Sequence, residues 1–377
     1  MSARDATGER GRKILSESHR DTPFVLVDER VVERNLTTMA SRLKRRGFEL
    51  VPHTKTHKSP RWAMRQTELG AARLMVAKLG EAEALMASGL SHLYIGYPLI
   101  GEAKRQRFQR LLAAGLDAVV AVDSLEGLAL LEASVEGAGR PAAALIEVDT
   151  GFGRAGLSDK DAVIKLARRI GAGPVRFLGI SCFGGQISWR QNVADRARAV
   201  EQEDRRLDAM RGALLRAGLD AEVVSQGGTP MTAHLDRVHA ATELRPGTYI
   251  YQDVATVHAG AASFGDCAAV AVTTVVSTPA ADRAVVDAGS KTLSGDGPID
   301  GSFGYIRERP DLALAFLSEE HGVVRRRDGG PVGLKIGDVL TVVPNHVCTM
   351  INLHDAVWLR KGDGGEWLPV AMRGAVR

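Results

Sequence analysis

Between Phe24 and Ile250 the chain repeats one pattern, a short apolar run of strand length followed by a segment whose apolar residues recur at helical spacing. Such alternation selects a parallel sheet, because a crossover through a helix brings the chain back to start the next strand in the same direction. The strand candidates are Phe24–Val27, Glu49–Val51, Arg73–Ala77, His92–Gly96, Asp117–Val122, Ala143–Val148, Arg176–Ser181, Ala221–Ser225 and Leu244–Ile250. A closed (β/α)8 barrel uses only eight, so the first strand is expected to pack with a second domain. Among the helices, about Glu29 to Arg46 carries Val32, Leu36, Met39 and Leu43, and Ser158 with Asp161 has capping-box spacing ahead of Val163, Leu166 and Ile170. After about residue 262 the pattern changes to β-rich runs without intervening helices: Ala269–Val276, Arg283–Val286, Gly322–Arg326, Val339–Val343 and Ala356–Leu359. The expected fold is α/β, a barrel over residues 22–262 followed by a C-terminal β-domain over 263–377.

Composition narrows the function classes. A chain of 377 residues exceeds what one core usually spans, and a hydrophobic fraction of 45% with 25% charged residues is that of a globular protein. No apolar run approaches the ~18 residues of a membrane span. Residues 1–20 are polar and charged, which reads as a frayed arm rather than a signal peptide and gives a cytoplasmic expectation. The net charge of +4 is modest, and basic residues lie beside acidic ones with few aromatics between them, which argues against a nucleic-acid surface. Cys182, Cys267 and Cys348 are too scattered for a disulfide framework and read as buried thiols or metal ligands.

The chemistry concentrates in a few segments. In Leu50–Pro60, LVPHTKTHKSP, His53, Lys55 and His57 recur every second residue, so an extended chain would point all three to one side. Neighbouring cationic groups and desolvation lower a lysine pKa and free its amine for a Schiff base; the same residues also fit a solvated basic loop. With the first strand set aside, Lys55 falls just beyond barrel strand one, on the face where barrel active sites lie. Strand seven runs into Gln226-Gly227-Gly228-Thr229-Pro230, a turn whose backbone N–H groups and Thr229 hydroxyl suit a phosphate, with Tyr249 a further donor; a plain turn is the alternative. Asp149-Thr150-Gly151-Phe152-Gly153-Arg154 aims a guanidinium across the same face or leaves it in solvent. Near the C-terminus His346 and Cys348 lie two apart, on one side of an extended chain, an imidazole and a thiol that together favour zinc or are simply a satisfied histidine beside a cysteine.

Taken together, PHTKTHKSP, VDTGFGRAG, GGTP, RPGTY, VVDAGSK and PNHVC through NLHD resemble, in order and over nearly the whole chain from Thr22, the D-threonine aldolase and D-serine dehydratase family of alanine-racemase-like, pyridoxal-phosphate-dependent enzymes. The resemblance implies an alanine-racemase-like barrel, a C-terminal β-domain and a homodimer. It places the Schiff base on Lys55 rather than Lys58, Arg154 facing the cofactor ring oxygen, and Gly227, Gly228 and Thr229 on the phosphate; Gln226 and Tyr249 are further phosphate-contact candidates from their positions, and His53 a catalytic candidate beside Lys55. It makes His346 and Cys348 the protein ligands of a divalent metal, zinc favoured by the thiolate, with manganese or magnesium as alternatives.

The implied activity is that of a lyase on small β-hydroxy-D-amino acids, of the D-threonine aldolase type. Two departures point the other way: family aldolases commonly carry an aspartate where this chain has Cys348, and a histidine in the loop that reads here Cys182-Phe183-Gly184-Gly185-Gln186-Ile187-Ser188-Trp189. A D-serine or 3-hydroxyaspartate dehydratase is therefore the first alternative. An amino-acid racemase without metal and a non-catalytic pyridoxal-phosphate carrier are the others.

Overall fold

The computed structural model describes residues 21–187 and 193–377; the expected N-terminal arm, and Ser188 and Trp189 of the loop above, lie outside the described residues. The described chain forms two compact units.

One unit, Asn35–Tyr249 with His258–Ala261 and Gly374–Arg377, is the barrel. Its eight strands follow the order Glu49–Leu50, Glu243–Arg245, Val223–Gly227, Arg176–Phe183, Ala143–Glu147, Asp117–Val122, His92–Ile95 and Leu74–Val76. All seven pairings are parallel. The two end strands meet through Ala72 N–H donating to the Leu50 carbonyl and Met75 N–H to the Pro52 carbonyl, each at 2.9 Å. Val51, Met75, Tyr94, Val119, Ala121, Leu145 and Leu178 form one buried cluster within this sheet. Gly179 shows how tightly the strands run: at φ +147° a Cβ there would lie 2.0 Å from the Val223 carbonyl oxygen, so only glycine fits. On the outside, the helix Lys160–Gly171 starts one residue later than its capping-box spacing suggests, because Asp159 accepts the Ala162 N–H and takes the cap from Ser158.

The other unit comprises the chain up to Arg34, Ile250–Val257 and Ala262–Arg373, so the division is more interleaved than a single break at residue 262. Backbone bonds explain part of this: Ala268 N–H donates to the Tyr251 carbonyl here, whereas Arg377 returns its carbonyl to Gly80 of the barrel. The strand Phe24–Asp28 is absent from the barrel and stands between Ala269–Ala280, antiparallel, and Ala356–Lys361, parallel, in a nine-stranded mixed sheet. All five of its residues are buried, as a strand covered on both faces requires. Its last residue, Asp28, forms a largely buried ion pair with Arg360 at 2.7 Å.

Candidate active site

The segment after the first barrel strand does not stay extended. His53 is extended, but Thr54–Thr56 closes one 3-10 turn and Lys58 takes a left-handed conformation at φ +48°. The alternation expected of His53, Lys55 and His57 is therefore not formed. Threonine chemistry overrides it: the Thr54 hydroxyl donates to the Met75 carbonyl at 3.0 Å, and the Thr54 carbonyl accepts Lys58 N–H at 2.9 Å.

The turn separates the two lysines. Lys58 is buried against Glu81, Nζ to Oε1 3.2 Å, and Glu81 also accepts the Ala77 N–H, so this ammonium is committed to an ion pair. The Lys55 Nζ instead stands 5.9 Å from the centre of the Phe183 ring, at the end of the strand Arg176–Phe183. The Arg154 guanidinium lies 4.4 Å from the same ring centre. Phe152 meets Phe183 edge-on at 5.6 Å, so two phenyl rings accompany the cations. Arg154 is held there by its turn, in which the Asp149 carboxylate accepts the N–H groups of Gly151, Phe152 and Gly153.

The flanking histidines are not the cations expected from their spacing. Burial drives His53 far below its ordinary value, with Lys55 and Arg245 adding repulsion. His57 falls to about 4 through burial, against the opposing hydrogen bonds of Gln66 and Ser59. Ser59 N–H donates to His57 Nδ1, so the ring proton sits on Nε2 and meets Gln66 Oε1 at 3.2 Å; Gln66 Nε2 then donates to the Tyr249 hydroxyl at 3.0 Å. With its lone pair taken by Gln66, Tyr249 keeps its own proton to donate, and burial raises its pKa.

The glycine turn follows the strand Val223–Gly227, as its position in the chain implied. Gly228 sits at φ +119°, and a Cβ on Gly227 would press on the Arg245 guanidinium at 3.0 Å and the Cys182 carbonyl at 3.4 Å. The Thr229 hydroxyl is buried and without a hydrogen-bond partner among the described residues. A buried hydroxyl without a partner among the described residues, beside the closely packed Gly227 and the positive-φ Gly228, leaves donors that a phosphate ester would satisfy, with Tyr249 a further candidate.

Glu203 was not legible in the sequence. From the helix Val193–Arg216 its carboxylate accepts Gln226 Nε2 at 2.6 Å, Gln186 Nε2 at 2.7 Å, the Thr150 hydroxyl at 3.1 Å and Cys182 Sγ at 3.6 Å. Burial raises its pKa against these four donors. It ties together the ends of three barrel strands, and Gly184 makes room for it, since a Cβ there would stand 2.6 Å from Oε2. Gln226 is thereby oriented, with Nε2 on Glu203 and a buried Oε1 unpartnered among the described residues.

In the second unit, His346 and Cys348 are neighbours, but not on an extended chain. The strand Val339–Pro344 ends, His346 caps a helix Val347–Leu353, and Cys348 lies inside its first turn. The buried Asp253 carboxylate causes the switch by accepting the first helical N–H, that of Val347, at 3.0 Å. His346 hydrogen-bonds Cys348, and its Nδ1 meets Asp296 Oδ2 at 2.7 Å. Burial works against protonation, yet Cys348 foremost, then Asp253 and Asp296, lift the imidazole to about 10. Among the described residues no group of three or more His, Cys, Asp or Glu side chains is arranged to hold an ion. The imidazole and thiol together suit a two-ligand zinc site whose other positions go to water or substrate. His354, by contrast, is engaged with the Thr292 carbonyl at 3.0 Å.

Residues 27–254 match the family model of the alanine racemase N-terminal domain, and residues 268–359 that of a putative serine dehydratase domain. A D-threonine aldolase of Arthrobacter sp is 32% identical over 363 residues, 95% of this chain and 94% of that one. The chain belongs to the D-threonine aldolase and D-serine dehydratase family. Among solved structures of this family, a D-threonine aldolase from Filomicrobium marinum superposes with a TM-score of 0.86 at 29% identity, covering 96% of this chain and 98% of the other. A cysteine-to-alanine variant of D-threo-3-hydroxyaspartate dehydratase, described as metal-free, gives 0.85 at 27% over 93% and 98%. Family membership places the chain among lyases on the alanine-racemase-like fold. Among the described residues no helix is long and apolar enough to cross a membrane.

Proposed function

We propose that this family member is a pyridoxal-phosphate- and metal-dependent lyase of small β-hydroxy-D-amino acids, of the D-threonine aldolase type. The observation that carries the reading is the pairing of Lys55 and Arg154 on the Phe183 ring, in the same unit as the Gly227-Gly228-Thr229 cradle. The full-length similarity to a D-threonine aldolase supports the branch of chemistry. Pyridoxal phosphate supplies an electron sink for a carbanion at Cα, and a zinc ion on His346 and Cys348 supplies Lewis-acid polarisation of the β-hydroxyl.

The chain's own residues divide the remaining work. Lys55 holds the cofactor covalently and is the amine able to carry a proton to or from Cα, while Lys58 stays locked to Glu81. Arg154 donates to the ring oxygen and keeps its charge throughout. Gly228, Thr229 and Tyr249 bind the phosphate, Tyr249 as a donor because Gln66 occupies its acceptor side. Phe183 gives the amine an apolar neighbour. His53 and His57, both neutral, compete for no substrate proton. In aldol cleavage the β-hydroxyl loses its proton, Cα–Cβ breaks, Cβ leaves as the aldehyde carbonyl and Cα regains a proton as glycine. A homodimer completes the proposal, and sedimentation tests it.

Dehydration is the second reading, and Cys348 favours it, because the resemblance places an aspartate at this position in the aldolases and a cysteine in the dehydratases. There the Cα proton and the β-hydroxide depart as water, and hydrolysis of the resulting enamine, after it tautomerises to the imine, by one water gives oxo-acid and ammonia. Incubation with D-threonine, D-serine, 3-hydroxy-D-aspartate and their L-forms separates the branches. Glycine plus aldehyde is the expected product, oxo-acid plus ammonia would transfer the assignment to a dehydratase, and simple inversion at Cα or no turnover would sink the lyase reading.

A further inference from the structure

The segment Ser294–Gly297, which the motif reading passed over, is fastened to the His346 segment at several points. Asp296 Oδ2 lies 2.7 Å from His346 Nδ1 and 2.9 Å from the Thr349 hydroxyl, and that hydroxyl is 3.1 Å from Ser294 Oγ. Asn345 Nδ2 donates to the Gly297 carbonyl at 3.1 Å. Ser294 itself adopts φ +75°, a left-handed conformation that a residue with a Cβ rarely takes and that surrounding contacts must impose. A half-exposed loop with a strained serine is therefore held so that one carboxylate oxygen meets one imidazole nitrogen.

We propose that Asp296 is the positioning carboxylate of the metal site, fixing the tautomer and ring orientation of His346 so that Nε2 presents its lone pair to the ion. A neutral imidazole has one N–H and one lone pair, and the hydrogen bond made by one nitrogen decides which the other offers. Committing Nδ1–H to Asp296 leaves Nε2 as the ligating atom and adds basicity to it, the arrangement in which a carboxylate behind a histidine strengthens metal binding. Thr349 does for Asp296 what Asp296 does for His346, holding the same oxygen in place. Asp296 is not itself placed as a ligand, since the described His, Cys, Asp and Glu side chains form no three-membered group suited to an ion. The inference rests on the assignment of His346 and Cys348 as ligands.

The test is zinc affinity of the metal-free full-length protein, read by competition with a chromophoric chelator. Wild type should bind one zinc per chain, Asp296→Ala should bind it about 10- to 100-fold more weakly, and Asp296→Asn, which keeps an acceptor without the charge, should fall between. Thr349→Val should weaken binding less than Asp296→Ala. Loaded with Co²⁺, every variant should keep the thiolate charge-transfer band and the coordination number of wild type. Equal affinity for wild type and Asp296→Ala overturns the positioning role while leaving the metal site standing. A changed Co²⁺ ligand field in Asp296→Ala overturns it in the other direction, by making Asp296 a ligand. Wild type that binds no zinc overturns the inference together with the ligand assignment beneath it.

Discussion

His57 of the barrel and His346 of the second unit are driven in opposite directions by the groups around them. His57 meets only neutral partners, the Gln66 amide and the Ser59 N–H, and burial takes it down to about 4. His346, whose side chain is only half-buried, meets a thiol and two carboxylates and is lifted to about 10. Burial always disfavours the charged imidazole, so the partners decide which side wins. In the barrel, His53 and His57 thus form a neutral frame beside Lys55. Around His346, by contrast, Cys348, Asp253 and Asp296 favour a positive charge.

The sharpest way to break this comparison is to remove one site and ask whether the other survives. Lys55→Ala should lower turnover by about 10^3-fold or more while leaving zinc stoichiometry unchanged. In wild type, borohydride reduction and peptide mapping should place a phosphopyridoxyl group on Lys55, and a label on Lys58 would reverse the assignment. Chelation should cost several kcal/mol of barrier, about 10^2-fold in rate, with zinc restoring it and cofactor absorbance unchanged. A rate indifferent to chelation would remove His346 and Cys348 from the mechanism.

Much of the architecture was legible because it is written in periodicity. Nine apolar runs and one surplus strand foretold both the barrel and the placement of Phe24–Asp28 in the other sheet. The same count places the proposed positions, since Lys55 follows the strand Glu49–Leu50 and Gly228-Thr229 follow the strand Val223–Gly227. Local geometry was less legible, because alternation of His53, Lys55 and His57 says nothing of Thr54 reaching across to Met75, nor does His-x-Cys reveal that Asp253 starts a helix between them. Glu203, Gln66 and Asp296 were invisible for a further reason: each matters through a partner between 17 and 183 residues away, and no spacing encodes that.

A smaller effect sharpens the contrast through pH. His57 ordinarily titrates near 6.5 and in the folded chain near 4, so between those values the unfolded chain binds the extra proton and the folded one does not. Stability contributed by the neutral ring is fully present above 6.5 and is lost as pH falls toward 4, amounting to about 3 kcal/mol across the window. Urea midpoints from pH 7 to 4 should therefore fall more steeply for wild type than for His57→Gln. Parallel curves would mean that His57 is not held neutral by the fold.

The smallest effect separates binding from stability at a single atom. Thr229 buries a hydroxyl for which the described chain offers no partner, and an unsatisfied buried hydroxyl costs the folded protein on the order of 1 kcal/mol. A residue held against that cost is explained if the hydroxyl finds its acceptor in a bound phosphate. Thr229→Val keeps the shape and removes the polar atom, so two opposite signs are expected from one substitution. The cofactor-free protein should gain about 1 kcal/mol in urea unfolding, while pyridoxal phosphate should bind about tenfold more weakly, as loss of one hydrogen bond to a charged group implies. Destabilised cofactor-free protein would show that Thr229 has a structural partner after all. Unchanged cofactor affinity would move the phosphate away from the glycine turn.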